Sequence, residues 1–363
     1  MSLSVWHLLL VFSLPLVACA EVAAYTIKDS GVPASSDGAV IWLDNQRVLF
    51  YRLKVVEKNE GITLESLVWD AATGSVGPYP PLQGTAKICV HGDFISYIRR
   101  KPGTEKEWLL VYGKVHDGQI VEEQVRSLPN QYQVHPFSCR YYDVPPPWVV
   151  KGREIAPLLE EHGYLDWGPS VGSVDREESS KNTPLTLYHP GAAGGVQLSI
   201  GRQQVRTYGL SYGPFRKAYL ISSVRYRDPV TGVVQHVEGS WPKGKSLPVW
   251  WLTPEGKTTE VEIPYAPFMS RGYRQFLAVK EGIFVRSNAL AVGGGAGDAG
   301  GYLVQEGTIR KLITGLLHNP AISPDGCKVA FVHDPYDTEF PKDRAGRITV
   351  KAIDLCEGGR YAQ

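Results

Sequence analysis

Residues 323–333 read SPDGCKVAFVH: a turn signal, Ser-Pro-Asp-Gly, runs directly into Val329, Phe331 and His333 at alternate positions. Successive side chains of a strand point to opposite faces, so this spacing after a turn predicts a strand leaving a hairpin corner. The arrangement recurs. In AVIWLDNQRVLFYR, residues 39–52, the segment 44–50 lies over 325–331 without a gap; both carry an Asp-led turn, a basic residue and apolar residues two apart. Residues 86–99, AKICVHGDFISYIR, form a third copy with a turn shortened to Gly92-Asp93. Weaker copies are FRKAYLISSVRYRD (215–228) and FLAVKEGIFVRSN (276–288), with a further one at 132–150 distorted by the prolines of 145–147. Most copies are followed by another strand: SLVWDAATG (66–74), EWLLVYGKVHDG (107–118), VWWLTPEGK (249–257), YLVQEGT (302–308) and RITVKAIDL (347–355). Their short Asp- or Gly-rich ends suit antiparallel hairpins.

The pattern predicts an all-β chain, a meander of four-stranded antiparallel sheets repeated about six times, as in a β-propeller of about six blades. A pair of β-sandwiches is the alternative. The Ser-Pro-Asp-Gly-x-x-Val-Ala-Phe stretch of residues 323–331 resembles the TolB-type, WD40-like repeat of exported propellers. That resemblance implies a propeller that works as an assembly or docking partner of other proteins.

A propeller must close its ring, because an open one leaves bare sheet edges. EVAAYTIKD (21–29) alternates weakly and has no nearby partner, so it is expected to add the outer strand of the last blade, beside 347–355. Residues 151–184 break the rhythm. REIAPLLEEH (153–162) places Ile155, Leu158 and Leu159 on one side of a short helix interrupted by Pro157, and the polar segment 168–184 follows. This is expected to be an insertion on the rim of a single propeller domain spanning 21–363. Asp175, Arg176, Glu177, Glu178 and Lys181 within it are the candidate partner contacts, since recognition concentrates on long loops of rigid scaffolds.

Composition agrees with a β-rich globular protein. Of 363 residues 43% are hydrophobic and 21% charged, and 38 Gly with 26 Pro disfavour long helices. The 38 basic and 37 acidic residues nearly cancel, which argues against nucleic acid or an anionic membrane surface as the main ligand, since both need a concentrated basic face. The first 20 residues carry no Lys, Arg, Asp or Glu, and residues 8–18 form an apolar run too short to span a bilayer. This reads as an export leader, although no basic side chain precedes the run. Residues 16–19, Leu-Val-Ala-Cys, match a lipobox, in which Cys19 is lipidated and becomes the mature N-terminus. Residues 18–20, Ala-Cys-Ala, also satisfy ordinary signal cleavage before Glu21. The lipobox reading makes 1–19 the signal peptide with its lipobox, Cys19 being kept as the anchor, and places the protein in the periplasm, held to the outer membrane only by lipid.

Either route leaves Cys89, Cys139, Cys327 and Cys356, which in an exported chain suggests two disulfides. Cys327 begins the second strand of the final copy and Cys356 ends the next. If those strands run antiparallel, counting back from their connection brings 327 opposite 353–356. Cys89 and Cys139 fall in candidate inner strands of neighbouring blades and are expected to bridge them. Without a CxxC pair, no zinc ribbon or thioredoxin-like site is indicated.

Motifs of chemistry fit their surroundings poorly. Residues 209–213, GLSYG, match the nucleophile elbow G-x-S-x-G, yet polar residues precede Ser211 and a strand-like stretch follows. Residues 295–300, GAGDAG, match G-x-G-x-x-G but precede a strand rather than a helix. The nine histidines are scattered, though His91, His135, His318 and His333 fall near candidate inner strands. The expectation is therefore a protein-binding envelope propeller with no cofactor, metal or catalytic residue. A propeller hydrolase or lyase with an axial His and acid site is the alternative.

Overall fold

Aspartate side chains decide where several strands begin. Asp44 Oδ1 accepts the N–H groups of Gln46 (2.8 Å) and Arg47 (2.7 Å). Asp325 Oδ1 accepts from the Cys327 N–H (3.0 Å) and the Ser323 hydroxyl (2.6 Å), while Ser323 Oγ accepts the Lys328 N–H (2.8 Å). Asp70 holds Ala72 and Thr73, and Asp354 holds Cys356 and Glu357, in the same way. Such Asx turns satisfy corner amides that no ladder reaches. Gly326 completes the 323–327 corner: its φ is +75°, and a Cβ there would lie 2.4 Å from Phe215 Cδ1. Only glycine fits both demands.

The structure, a computed structural model, describes residues 25–128 except 37, 56–61, 84, 92–93 and 105–106. It further describes 164–166, 184–188, 196–201, 205–227 except 214, 217 and 224, 234–236, 244, 246–253, 256–266, 273–288, 298–335 and 347–357.

Strand β1 (Thr26–Pro33) comes first. A first sheet joins β2 (Ile41–Trp42), β3 (Arg47–Val55), β4 (Ile62–Asp70) and β5 (Val76–Pro78) in that order. A second joins β6 (Ala86–His91), β7 (Phe94–Arg100), β8 (Trp108–His116) and β9 (Gln119–Leu128). The third has three described strands, β10 (Tyr164–Asp166), β11 (Pro184–Tyr188) and β12 (Val196–Gly201). After β13 (Val205–Gly213) and β14 (Ala218–Ser223), a ribbon of β15 (Arg225–Arg227) and β16 (Val234–His236) intervenes. Strands β17 (Leu247–Leu252) and β18 (Thr258–Ile263) then complete the fourth sheet. The fifth joins β19 (Tyr273–Val279), β20 (Gly282–Asn288), β21 (Gly300–Gln305) and β22 (Thr308–Thr314). The last comprises β23 (Leu316–Ile322), β24 (Lys328–Asp334) and β25 (Thr349–Asp354), and β1 takes its fourth place.

That closing pair is antiparallel, with Thr26 opposite Asp354, Ile27 opposite Ile353 and Asp29 opposite Lys351. The expected partner of 347–355 is thus the observed one. Among the described residues the strand runs 26–33, past the expected end at 29, because a register shift between Asp29 and Pro33 leads to a second contact, Pro33 opposite Thr349.

The second strands carry apolar residues on both faces. Val48 and Phe50 pack toward the last sheet, against Ala330 and Val332, whereas Leu49 and Tyr51 pack toward the second, against Ile95, Tyr97 and Val111. Val329 and Phe331 meet Leu277, Phe284 and Leu303 of the fifth sheet. Ala278, Ile283 and Val285 turn the other way, onto Leu220, Val249 and Trp251 of the fourth. Sheets four, five, last, one and two therefore stack face to face in continuous order, with the chain's end packed on its beginning. This is the packing of a β-propeller. Each fully buried Phe, Leu or Val contributes about 1.5–3 kcal/mol, so the stacking faces dominate stability.

Cys327 and Cys356 come together as the register argument expected, with Cα atoms 5.2 Å apart and sulfurs at bonding distance across 29 residues of chain. Cys89 lies on β6; Cys139 is outside the described residues. Non-reducing peptide mapping should recover a 327–356 peptide. Replacing both cysteines by serine should lower stability by about 3–4 kcal/mol on the loop-entropy account, read by denaturant unfolding with and without reductant. Free thiols at both positions would refute the bridge.

Candidate functional site

Antiparallel order divides the connections between two faces. Turns joining first to second strands, and third to fourth, leave one end of each sheet, and second-to-third connections leave the other. The first group is short: 43–46, 92–93, 214–217, 280–281 and 323–327 join first to second strands, while 71–75, 117–118, 189–195, 253–257 and 306–307 join third to fourth, none longer than seven residues. The second group holds the long ones: 56–61 and 101–107 are six and seven residues, and 167–183, 224–246, 289–299 and 335–348 run from 11 to 23.

On the turn face the inner corners touch one another. The Lys280 N–H donates to the Gly326 carbonyl (2.9 Å), and the Asp325 N–H to Asn45 Oδ1 (3.1 Å). Lys328 Nζ donates to the Asn45 carbonyl (3.0 Å), and Gly326 lies against Phe215. Corners of the first, fourth, fifth and last sheets thus form one mesh. Partial burial pushes the Asp44 carboxyl up, but the N–H groups of Gln46 and Arg47 and the Arg47 guanidinium outweigh it and hold it below its ordinary value. It stays a carboxylate in its turn role. Between the last and first sheets, Asn319 Nδ2 donates to the carbonyls of Ser36 (2.9 Å) and Gly38 (2.7 Å), and Trp42 Nε1 to Ala321 (3.0 Å).

Of the residues singled out by sequence, Cys19, Cys139, His135, Asp175, Arg176, Glu177, Glu178 and Lys181 lie outside the described residues, as does the 153–162 segment. The 168–184 stretch has its place from the strands around it: β10 and β11 pair as neighbours, Asp166 opposite Thr186, and only three residues separate β12 from β13, which makes β12 the last strand of its sheet; counted back from it as the fourth, 167–183 is a second-to-third-type connection. His318 and His333 do not converge. His318 pairs with Val332, which faces the first sheet, whereas His333 pairs with Leu317, which faces the fifth. Ser211 sits within β13, opposite Leu220, and the chain turns from there into another strand rather than a helix. Gly300 likewise begins β21. Trp250 and Trp251 are both buried, Trp251 in the core and Trp250 with Nε1 donating to Glu260 (3.0 Å). Among the described residues no group of three or more His, Cys, Asp or Glu is placed to hold a metal, and no helix is long and apolar enough to cross a membrane.

Sequence reasoning missed the Asn45–Asp325 contact and the seat of Tyr25. The first had a signal: the two corners align without a gap, so they occupy equivalent places around the ring. Tyr25 had none, because its partner Arg310 lies far along the chain.

No family model matches the chain, and no curated protein matches it. Among solved structures it is similar to TolB from Acinetobacter baumannii, with 15% identity over 81% of this chain and 64% of that one, at a TM-score of 0.31. It is also similar to the β-propeller domain of the Trilobed protease from Pyrococcus furiosus (8% identity, 82% of this chain and 79% of that one, TM-score 0.31). A third likeness is to the acylaminoacyl peptidase of Pyrococcus horikoshii (10% identity, 86% of this chain, TM-score 0.27), of which the chain spans 38% of the length. The chain thus spans less than two thirds of TolB and of the peptidase. The propeller rests on the strand pairing and sheet packing above, and these likenesses carry no statement of activity.

His333 gives the site region a pH signature. Its Nε2–H donates to the Thr314 carbonyl (2.8 Å), and its ring meets Phe331 edge-on at 6.3 Å between centroids. Burial pushes the imidazole below its ordinary 6.5; the Thr314 carbonyl, Asp29 and Asp334 oppose the drop and Lys351 adds to it. Below pH 6.5 the unfolded chain takes up a proton that the folded one refuses. Stability should therefore fall as pH drops from 6.5 toward the folded value, by up to about 1.4 kcal/mol per pH unit from this group. His333→Gln should flatten that part of the profile in thermal melts. An unchanged slope would show that the group contributes nothing there.

Proposed function

We propose that this protein is an exported propeller of the cell envelope, held at the outer membrane through lipid on Cys19, which binds a protein partner through its loop-bearing face and performs no chemistry itself. The observation that carries this reading is the division of the connections. The inner corners of the first, fourth, fifth and last sheets are occupied with one another, while the four connections of 11 residues or more between paired strands all leave from the opposite face, where recognition on rigid scaffolds concentrates. The near-balance of 38 basic and 37 acidic residues disfavours a polyanionic ligand. A Cys327–Cys356 bridge suits an oxidising compartment such as the periplasm. Residues 167–183, with Asp175, Arg176, Glu177, Glu178 and Lys181, belong to the loop-bearing group and offer both signs of charge to a partner.

The test is capture of partners from envelope extract by crosslinking to the mature protein. Replacing 168–183 by a short Gly-Ser linker should leave the melting temperature nearly unchanged, since the segment joins two neighbouring strands, and should weaken partner recovery several-fold. Undiminished recovery would remove the segment from the contact surface. Cys19→Ser should move the protein from the membrane fraction to the soluble one and abolish a lipid-sized mass increment. A wild-type mature N-terminus at Glu21 would refute the anchor.

A further inference from the structure

The lipid-anchor reading, combined with the way β1 enters the fold, decides which face meets the membrane. Strand β1 runs from Thr26, opposite Asp354, toward Pro33, opposite Thr349. The Asp354 end is the turn-face end, because the next residue, Leu355, donates its N–H to the carbonyl of Cys327 in the 323–327 corner (2.8 Å). The chain thus enters the propeller wall at the turn face. Its entry point is fixed by an independent contact. Arg310, on β22 close to the 306–307 turn, donates Nη1–H to Tyr25 Oη (3.2 Å) and lies over the Tyr25 ring at 5.5 Å from its centroid. The Tyr25 ring also packs on the core between the fifth and last sheets. Tyr25 is therefore seated at the outer rim, at the level of the tight turns.

From Cys19 to Tyr25 the chain can reach about 21 Å at full extension. The wall beside it is about as tall as that limit: β22, from Thr308 by the turn to Thr314 at the opposite end, spans about 20 Å at strand rise. Only a chain drawn taut over its whole length, with its conformational freedom lost, could lay the loop-bearing face on the bilayer, whereas any slacker chain leaves the turn face nearer the lipid. Ile27, two residues past Tyr25 and 41% exposed, is one of three large apolar side chains left exposed among the described residues, and it stands beside this rim.

We infer that the turn face lies toward the membrane, its Tyr25 rim nearest the lipid, and that the loop-bearing face points away from the bilayer to meet its partner in the aqueous space. This deepens the reading of an anchored, partner-binding propeller and rests on it.

The experiment uses the full chain, expressed with its leader, recovered from membranes and reconstituted into phosphatidylethanolamine–phosphatidylglycerol vesicles carrying spin-labelled headgroups. Glu306→Cys, in the turn that precedes β22, and Thr314→Cys, at the far end of that strand, both exposed, are labelled with a maleimide fluorophore under non-reducing conditions. The identically treated parent protein serves as blank. Quenching by the labelled headgroups should be several-fold stronger at 306 than at 314. Equal quenching, or stronger quenching at 314 in membrane-bound protein, would overturn the orientation while leaving the anchor intact. Protein that fails to partition with vesicles, or that starts at Glu21 without a lipid mass, would overturn the anchor and the orientation with it.

Discussion

Because the second strands are apolar on both faces, no sheet built around them can stand at the end of a stack. Val329 and Phe331 need one neighbour and Ala330 and Val332 another; Leu49 and Tyr51, against Val48 and Phe50, impose the same demand. A linear stack would leave one face bare at each end, of the kind that drives association. Curling until the last sheet meets the first removes both ends, and the sheet packing shows that meeting directly. The hydrogen bonds at the seam, Asn319 to Ser36 and Gly38, Trp42 to Ala321, and Asn45 to Asp325, join sheets whose mutual burial is already favourable. They set how the sheets register.

The β1–β25 ladder serves a different purpose. Sheet-to-sheet packing closes the ring by side chains, which tolerate sliding, whereas an antiparallel ladder fixes position residue by residue. Supplying the last sheet's outer strand from the chain's beginning means the ring cannot open without breaking backbone hydrogen bonds as well as apolar contacts. The Cys327–Cys356 pair acts in the same sheet, tying the corner that begins β24 to the residue just past β25. Three constraints of different kinds therefore converge on one sheet: a ladder, a covalent bridge and the Asx turns at Asp325 and Asp354.

Those features were legible in sequence where their cause is local. Asp-led corners declare themselves by residue type, and the 44–50 and 325–331 segments proved equivalent corners that touch. The closing strand was legible from its lack of any nearby partner. The 327–356 proximity was legible because antiparallel register is arithmetic. Other features were hidden for physical reasons. Strands β10 and β15 are three residues each, too short for alternation to show, so their surroundings read as insertion and as one copy's tail. The opposite facing of His318 and His333 depends on a register shift between His318 and Ala321 that no pattern announces. The seat of Tyr25 depends on a pairing across most of the chain.

The division of the faces also follows from constraints rather than from the loops themselves. An inner corner on the turn face meets corners of adjacent sheets, so lengthening it would displace Asn45, Phe215 or Lys280 from its contacts and strain several sheets at once. A second-to-third connection joins neighbours already held by their ladder. Each doubling of its length costs only about 0.6 kcal/mol of closure entropy. Sequence is thus free to accumulate on one face and held tight on the other. The ribbon β15–β16, carried between β14 and β17, shows that freedom used: a whole hairpin has been added there while the fourth sheet keeps its order. A surface that can accept such additions without disturbing the ring is where specificity for a partner can be built, and the mesh of corners on the other face is what allows it.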